Sequence, residues 1–364
     1  MLELTDSPFL VTMTHGSFFM PMLLLSLLGG LLADKYSRKL LIIYAESVVL
    51  ILYLIIASLH VLNLLNPFLI IVITFSAGIA FALSTSARNA MLPSLVSKEG
   101  LRNGAALSTM SWTLSFLVAP SLAGIFISTF GESATLFISC GVTAFGLTQW
   151  SRLKPRHSPD QSSTKASPLA TLIAGFHYVR VNSSIGGLIV LGGAVMMLSM
   201  PYQALLPVFA RDVLSSDSSG LSILMGATGF GALLGSVFIT TKNAPSTLGK
   251  SLRVAALCYG FVLITFSLSQ WIIISALIAI LVGFSQQLFI SANFTLIQTN
   301  VPSEILGRVL SIRYMAFGMM PIGQLATGFV AEITTAPTAT LLVGILSIIV
   351  ITTIIKLFPS LRNL

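Results

Sequence analysis

Gly30-Leu-Leu-Ala-Asp34-Lys35-Tyr-Ser-Arg38-Lys39 places four charges within six residues, wedged between two long apolar runs. Apolar residues fill 9–33 and resume at Leu40, so these charges can only form a very short loop at a membrane surface. Composition supports that reading independently. With 55% hydrophobic and 8% charged residues and a mean hydropathy of +0.95, the chain has too little charge to cover a water-facing surface. Lipid is its solvent.

A hydrocarbon core of about 30 Å is crossed at about 1.5 Å per helical residue. On that scale the sequence divides into eleven spans, at 9–33, 40–59, 67–87, 103–130, 134–150, 185–209, 220–239, 252–268, 271–294, 309–331 and 338–358. Lys and Arg accumulate in cytoplasmic loops. With the Asp34 loop inside, all but one of the 19 Lys and Arg residues fall in inside loops or on their flanks, Arg211 being the exception. The carboxyl terminus is then cytoplasmic. The net charge of +8 is accounted for by topology and implies no nucleic-acid partner. Ser151 to Pro168, rich in Ser, Pro and basic residues, reads as a linker, and 169–181 as an amphipathic helix along the membrane surface. The expected organisation is a bundle at 1–150, a linker region at 151–184 and a second bundle at 185–364. Val96-Ser-Lys-Glu99 and Val301-Pro-Ser-Glu304, each directly before a span, and Leu28-Gly29 and Leu234-Gly235 recur at nearly one offset, as duplicated halves would.

The charged loop resembles the signature of the major facilitator superfamily, Gly-x-x-x-Asp-(Arg/Lys)-x-Gly-Arg-(Arg/Lys), with Ser37 in place of the second glycine. Met20-Pro21-Met22, Asn89-Ala-Met-Leu-Pro93, Pro201-Tyr-Gln-Ala-Leu-Leu-Pro207-Val-Phe-Ala-Arg211-Asp212 and Gly307-Arg308-Val-Leu-Ser311 are together similar to the branch containing enterobactin exporters and macrolide-type efflux pumps. The resemblance implies an all-α membrane protein of two helical bundles. It further implies secondary transport in a bacterial cytoplasmic membrane, as a proton-coupled antiporter exporting small amphipathic molecules of drug or siderophore type. Members of the superfamily usually have twelve spans with both termini inside, so eleven spans imply that the first helix is missing. A truncated remnant that inserts without transporting, or an interaction protein, is the alternative reading. The partners implied are a small molecule, protons and lipid. No oligomer and no cofactor is implied.

The resemblance gives the loop the part of a conformational switch, with Asp34 as latch, Lys35, Arg38 and Lys39 as its partners, and Gly30 opening the motif; simple anchoring by the three cations is the plainer reading. Glu46, about 10 Å beyond Lys39 on a regular helix, is an ionisable group inside an apolar span, where charge is costly. It is either a coupling carboxylate or one that reaches the surface or pairs with a neighbouring helix. The span at 67–87 carries no Arg, whereas the fourth helix of many proton-coupled relatives does. Thr109, Trp112, Tyr202, Gln203, Gln286, Gln287, Asn293, Tyr314 and Gln324 are candidates to line a polar cavity or to hydrogen-bond between helices, since amides facing lipid lack partners. Pro120, Gly124, Pro321 and Gly323 permit bends or close helix packing. Neither a metal-ligand cluster nor a catalytic triad is visible, so an enzyme is not expected.

Overall fold

The computed structural model describes residues 1–96, 101–153, 168–216, 218–240 and 245–362. Among the described residues the secondary structure is helical, with no strand. In chain order the helices are α1 Leu2–Thr5, α2 Pro8–Lys35, α3 Arg38–Val61, α4 Pro67–Leu95, α5 Leu101–Arg152, α6 Pro168–Val181, α7 Ser183–Leu198, α8 Tyr202–Val208, α9 Ser218–Thr240, α10 Pro245–Ser267, α11 Ile272–Asn300, α12 Ser303–Phe317, α13 Met320–Ile333 and α14 Ala336–Leu357. A π-helical turn, Phe209–Val213, extends α8.

Local chemistry explains where the helices begin. Asn66 caps α4 by accepting from the Leu69 amide at 2.8 Å, with Pro67 in the first turn. Thr335 likewise accepts from the Thr338 amide at 3.3 Å ahead of α14. Both devices satisfy amide groups that have no partner within the helix. Inside α5, Gly131 adopts φ 81 and ψ 171, a conformation open to glycine at little cost. Two expected spans therefore meet at a single residue rather than across a loop.

Among the described residues, eight helical segments are long and apolar enough to cross a membrane. They correspond to eight of the eleven expected spans. The expected span at 309–331 is instead divided at Gly318 and Met319 into α12, of 15 residues, and α13, of 14. The cause lies just beyond the break: Pro321 in the first turn of α13 has no amide hydrogen to continue the helix from α12. Many side chains of the other two, α2 and the first part of α5, lie outside the described residues.

Two compact units emerge. One comprises Ser17–Phe116 with Phe126–Ala170, the other Met1–Gly16 with Leu117–Ile125 and Thr171–Leu364. In the first, α3 packs along α4 around Ile42, Ala87 and Met91. In the second, α9 and α11 make the most extensive helix pair. A Cβ added at Gly231 would run into the Ile280 carbonyl, and one at Gly283 into the Thr228 carbonyl. The two backbones touch because neither helix has a side chain at the crossing, which is how helices gain contact where lipid offers no hydrophobic drive. Buried Leu188, Leu191, Leu205, Phe209, Tyr259 and Phe266 fill the same unit. Outward-facing Phe68, Val142, Phe145 and Ile273 are each more than half exposed, an apolar exterior suited to acyl chains.

Candidate functional site

The charged loop is as short as its sequence requires. α2 ends at Lys35 and α3 starts at Arg38, leaving Tyr36 and Ser37 between them. Lys39 Nζ donates to the Ser151 carbonyl at 2.6 Å. That carbonyl lies in the last turn of α5, where a cation meets the negative end of a helix dipole. Gly30 is within α2, and the side chains of Asp34 and Lys35 lie outside the described residues.

Two turns into α3, Glu46 meets α4. Its Oε1 accepts from Ser84 Oγ at 2.7 Å and from Arg88 Nη2. Ser84 and Arg88 are four residues apart and so share a face of α4. The Arg88 guanidinium lies 5.4 Å from the centre of the Trp150 ring, a cation-π distance. Glu46 is only 17% exposed and Arg88 37%. The carboxylate is thus held by a partner from a neighbouring helix, one of the arrangements open to it. Apolarity stops at Ala87, which placed Arg88 on the flank of a loop, but α4 continues to Leu95. The helix that seemed to lack an arginine carries one, because a helix need not end where its apolar run does.

Polar candidates in the other unit mostly find each other. Gln203 Nε2 donates to Gln286 Oε1 at 3.1 Å, and Gln286 Nε2 lies 3.2 Å from Met200 Sδ. Gln287 donates to Ser291 at 3.0 Å on its own helix. Tyr202 is fully buried, its ring in T-shaped contact with Tyr259 and Phe266 at 6.4 and 6.1 Å between centroids. Asn293 donates to the Leu188 carbonyl at 2.8 Å and accepts from Arg313 Nε at 3.1 Å. Gln324 Nε2 lies 2.7 Å from His15 Nδ1. Pro321 and Gly323 are buried, and a Cβ at Gly323 would meet the Met197 carbonyl. The side chains of Thr109, Trp112, Pro120 and Tyr314, and Gly124, lie outside the described residues.

Sequence reasoning also missed Arg313. Its sequence position makes it a cation at the flank of the span 309–331, yet it is 6% exposed, inside α12 and 5.0 Å from the centre of the Phe294 ring. The signal was present: Pro302 marks a helix start, which puts Arg313 about three turns inside. Arg211, the cation outside the inside-loop pattern, pairs with Asp6 at 2.6 Å and Asp212 at 2.5 Å.

The family described as Transmembrane secretion effector matches over residues 1–364. The enterobactin exporter EntS of Escherichia coli O1:K1 / APEC is 27% identical over 304 residues, 82% of this chain and 70% of that protein. EntS of Shigella boydii serotype 18 matches to the same extent. Among solved structures, the nucleoside transporter NupG gives a TM-score of 0.70 at 16% identity, covering 97% of this chain and 91% of that one. The human organic anion transporter MFSD10 gives 0.67 at 14% identity, covering 94% and 83%. At such low identity these two structures speak for a shared fold.

Proposed function

This chain belongs to the Transmembrane secretion effector family of the major facilitator superfamily, and from that premise we propose that it exports small amphipathic molecules, of drug or siderophore type, in exchange for protons. It is a multi-pass membrane protein and a transporter, not an enzyme. We read 1–150 and 185–364 as the two bundles of an alternating-access cycle, joined by 151–184, with the carboxyl terminus in the cytoplasm. The observation that carries the coupling role is the Glu46–Arg88 pair: a carboxylate on an apolar helix whose partner cation stands one helix away. Such a group can trade its ion pair for a proton as the environment changes.

In cells stripped of their own efflux pumps, expression of the chain is expected to lower the steady-state accumulation of a cationic or neutral amphipathic dye several-fold. A protonophore should restore accumulation. Equal dye levels with and without the protein, at confirmed membrane abundance, would refute export; protonophore-insensitive export would refute proton exchange.

The switch role of the loop rests on the short α2–α3 connection and the Lys39 contact to the end of α5. In this reading Asp34 stabilises one state of the cycle, and removing its charge shifts the balance of states without unfolding the chain. Asp34→Asn is expected to reduce export markedly at unchanged membrane level. Wild-type export by this variant would leave the loop only an anchoring role.

A further inference from the structure

Contacts recur at four-residue intervals where the first half of α2 lies against α13. Ser7 Oγ and the Phe9 amide, on either side of Pro8, donate to Glu332 Oε2 at 2.9 and 3.1 Å. A Cβ at Gly328 would run into Thr12 Oγ1. One at Gly16 would come within 3.2 Å of Gln324 Oε1, and Gln324 Nε2 lies 2.7 Å from His15 Nδ1. Residues four apart share a helix face, so Pro8, Thr12 and Gly16 meet Glu332, Gly328 and Gln324 in antiparallel register. The stretch Met1–Gly16 groups with the unit that holds α13. From Ser17 onward α2 has another neighbour, since a Cβ at Gly78 of α4 would meet the Phe18 carbonyl.

The innermost of these contacts holds a titratable group. Gln324 is fully buried, and its Oε1 has no hydrogen-bond partner among the described residues. An amide nitrogen only donates, so His15 Nδ1 opposite it accepts, and the ring is neutral with its proton on Nε2. A proton added at Nδ1 makes that atom a donor, which cannot face the amide nitrogen. Half a turn of the amide about its terminal bond brings Oε1 to the ring instead. One end of the amide is unmatched in either position, so the turn exchanges a neutral hydrogen bond for a charge-assisted one. The new charge has no carboxylate beside it on α13, whose one ionisable residue, Glu332, is about 12 Å along the helix and already holds α2. Of the helices packed on α13, α7 has no ionisable residue, α8 has Tyr202, and α14 has Lys356 in its last turn. The stretch 117–125 of α5 has none. Asp6 and Asp212 are both paired with Arg211 beyond the start of α2. On α2 itself the next charges are Asp34 and Lys35, about five turns on.

We propose that His15, with Gln324 as its two-way partner, is a proton-binding site besides Glu46, and that its occupancy decides whether the first half of α2 stays in register with α13. Unprotonated, the ring accepts from Gln324 and the register holds. A proton taken from water at Nδ1 turns the amide and sets a charge among apolar neighbours, a cost relieved when the helices part and water reaches the ring. The proton returns to water by the reverse step, and the register re-forms. In an alternating-access cycle the parted arrangement is the one open at this end of α2. His15 then regulates how fast the cycle turns, while Glu46 sets the exchange. That link to transport rests on the export reading. The proton-dependent register does not.

The test uses the purified full chain in lipid nanodiscs. With His60, His157 and His177 replaced by Gln and the remaining histidine isotope-labelled, magnetic resonance reads His15 alone. At about pH 8 its signals are expected to be those of a neutral ring protonated on Nε2, and at about pH 5 those of the imidazolium. A neutral ring protonated on Nδ1, or a ring unchanged over this range, would overturn the proposal. Parting of the helices is read separately. In a chain with Cys140 and Cys258 replaced by Ala, Thr12→Cys puts a thiol into the register. Its labelling by a water-soluble maleimide, relative to the unfolded chain at the same pH, should rise several-fold on acidification. His15→Gln and Gln324→Leu should each remove the rise at matched monodispersity, and Glu332→Gln should keep it. A rise that survives His15→Gln, or that only Glu332→Gln removes, would also overturn the site. Protonation and parting in a chain that exports nothing would refute the export reading alone, and export by a chain whose Thr12→Cys labelling ignores pH would refute this site alone.

Discussion

Glu46→Gln is expected to abolish uphill, proton-driven export while leaving downhill exchange of substrate across the membrane intact. Glutamine keeps the shape of the side chain and can still accept from Ser84 and Arg88, but it cannot take or release a proton. Truncation to alanine would be a poorer test. It would leave the Arg88 guanidinium without its carboxylate partner, which mixes loss of coupling with loss of fold. The size of the effect follows from the gradient. One pH unit is worth about 1.36 kcal/mol per proton, or about tenfold concentration of substrate per proton exchanged. In proteoliposomes with such a gradient, the wild type should approach that ratio and the variant should stop near equality. Counterflow of labelled against unlabelled substrate should persist. Gradient-driven accumulation by Glu46→Gln at the wild-type level would exclude this carboxylate from coupling.

The second large effect is on the fold. At the α9–α11 crossing, Gly231 and Gly283 each face a backbone carbonyl of the opposite helix, and a backbone cannot rotate out of the way as a side chain can. Gly283→Leu must push the helices apart. Overpacking typically costs about 1–3 kcal/mol when side chains yield, and more is expected where only backbone can. It would also forfeit contact along the most extensive helix pair in that unit. Most of the protein should be lost from the monodisperse peak on size exclusion after mild solubilisation. Gly141 and Gly146 serve as controls, because nothing lies within 4 Å of a Cβ at either position. Gly141→Ala and Gly146→Ala should leave the yield unchanged. A normal peak for Gly283→Leu would mean that the close crossing is not needed for assembly.

Much of this molecule is written plainly along the chain. The charge knot at Asp34 to Lys39 and the apolar runs around it place a two-residue turn where the structure has one, since no longer water-exposed loop fits between 33 and 40. Most of the expected spans recur as helices to within a few residues because lipid forces backbone groups to pair within each segment. The exceptions are local. Gly131 joins two spans without a loop, and Pro321 splits another, and in both cases a single backbone property outweighs the hydropathy of ten neighbours.

The site was less legible. Glu46 stood out because a lone carboxylate in an apolar run has few innocent explanations. Its partner did not, because Arg88 sits at the edge of such a run and reads as an ordinary surface cation. Arg313 was hidden in the same way. The chain by itself determined the class of protein, the helical segments and the alternation of charge, since these depend on composition and one-dimensional spacing. Which polar groups meet was decided only in three dimensions. Pairing of Glu46 with Arg88, of Asn293 with Arg313 and of Gln203 with Gln286 depends on the rotation and depth of neighbouring helices. Those are set by small residues such as Gly78, Gly231 and Gly283 at the crossings, where the missing Cβ matters only once the opposing carbonyl is in place.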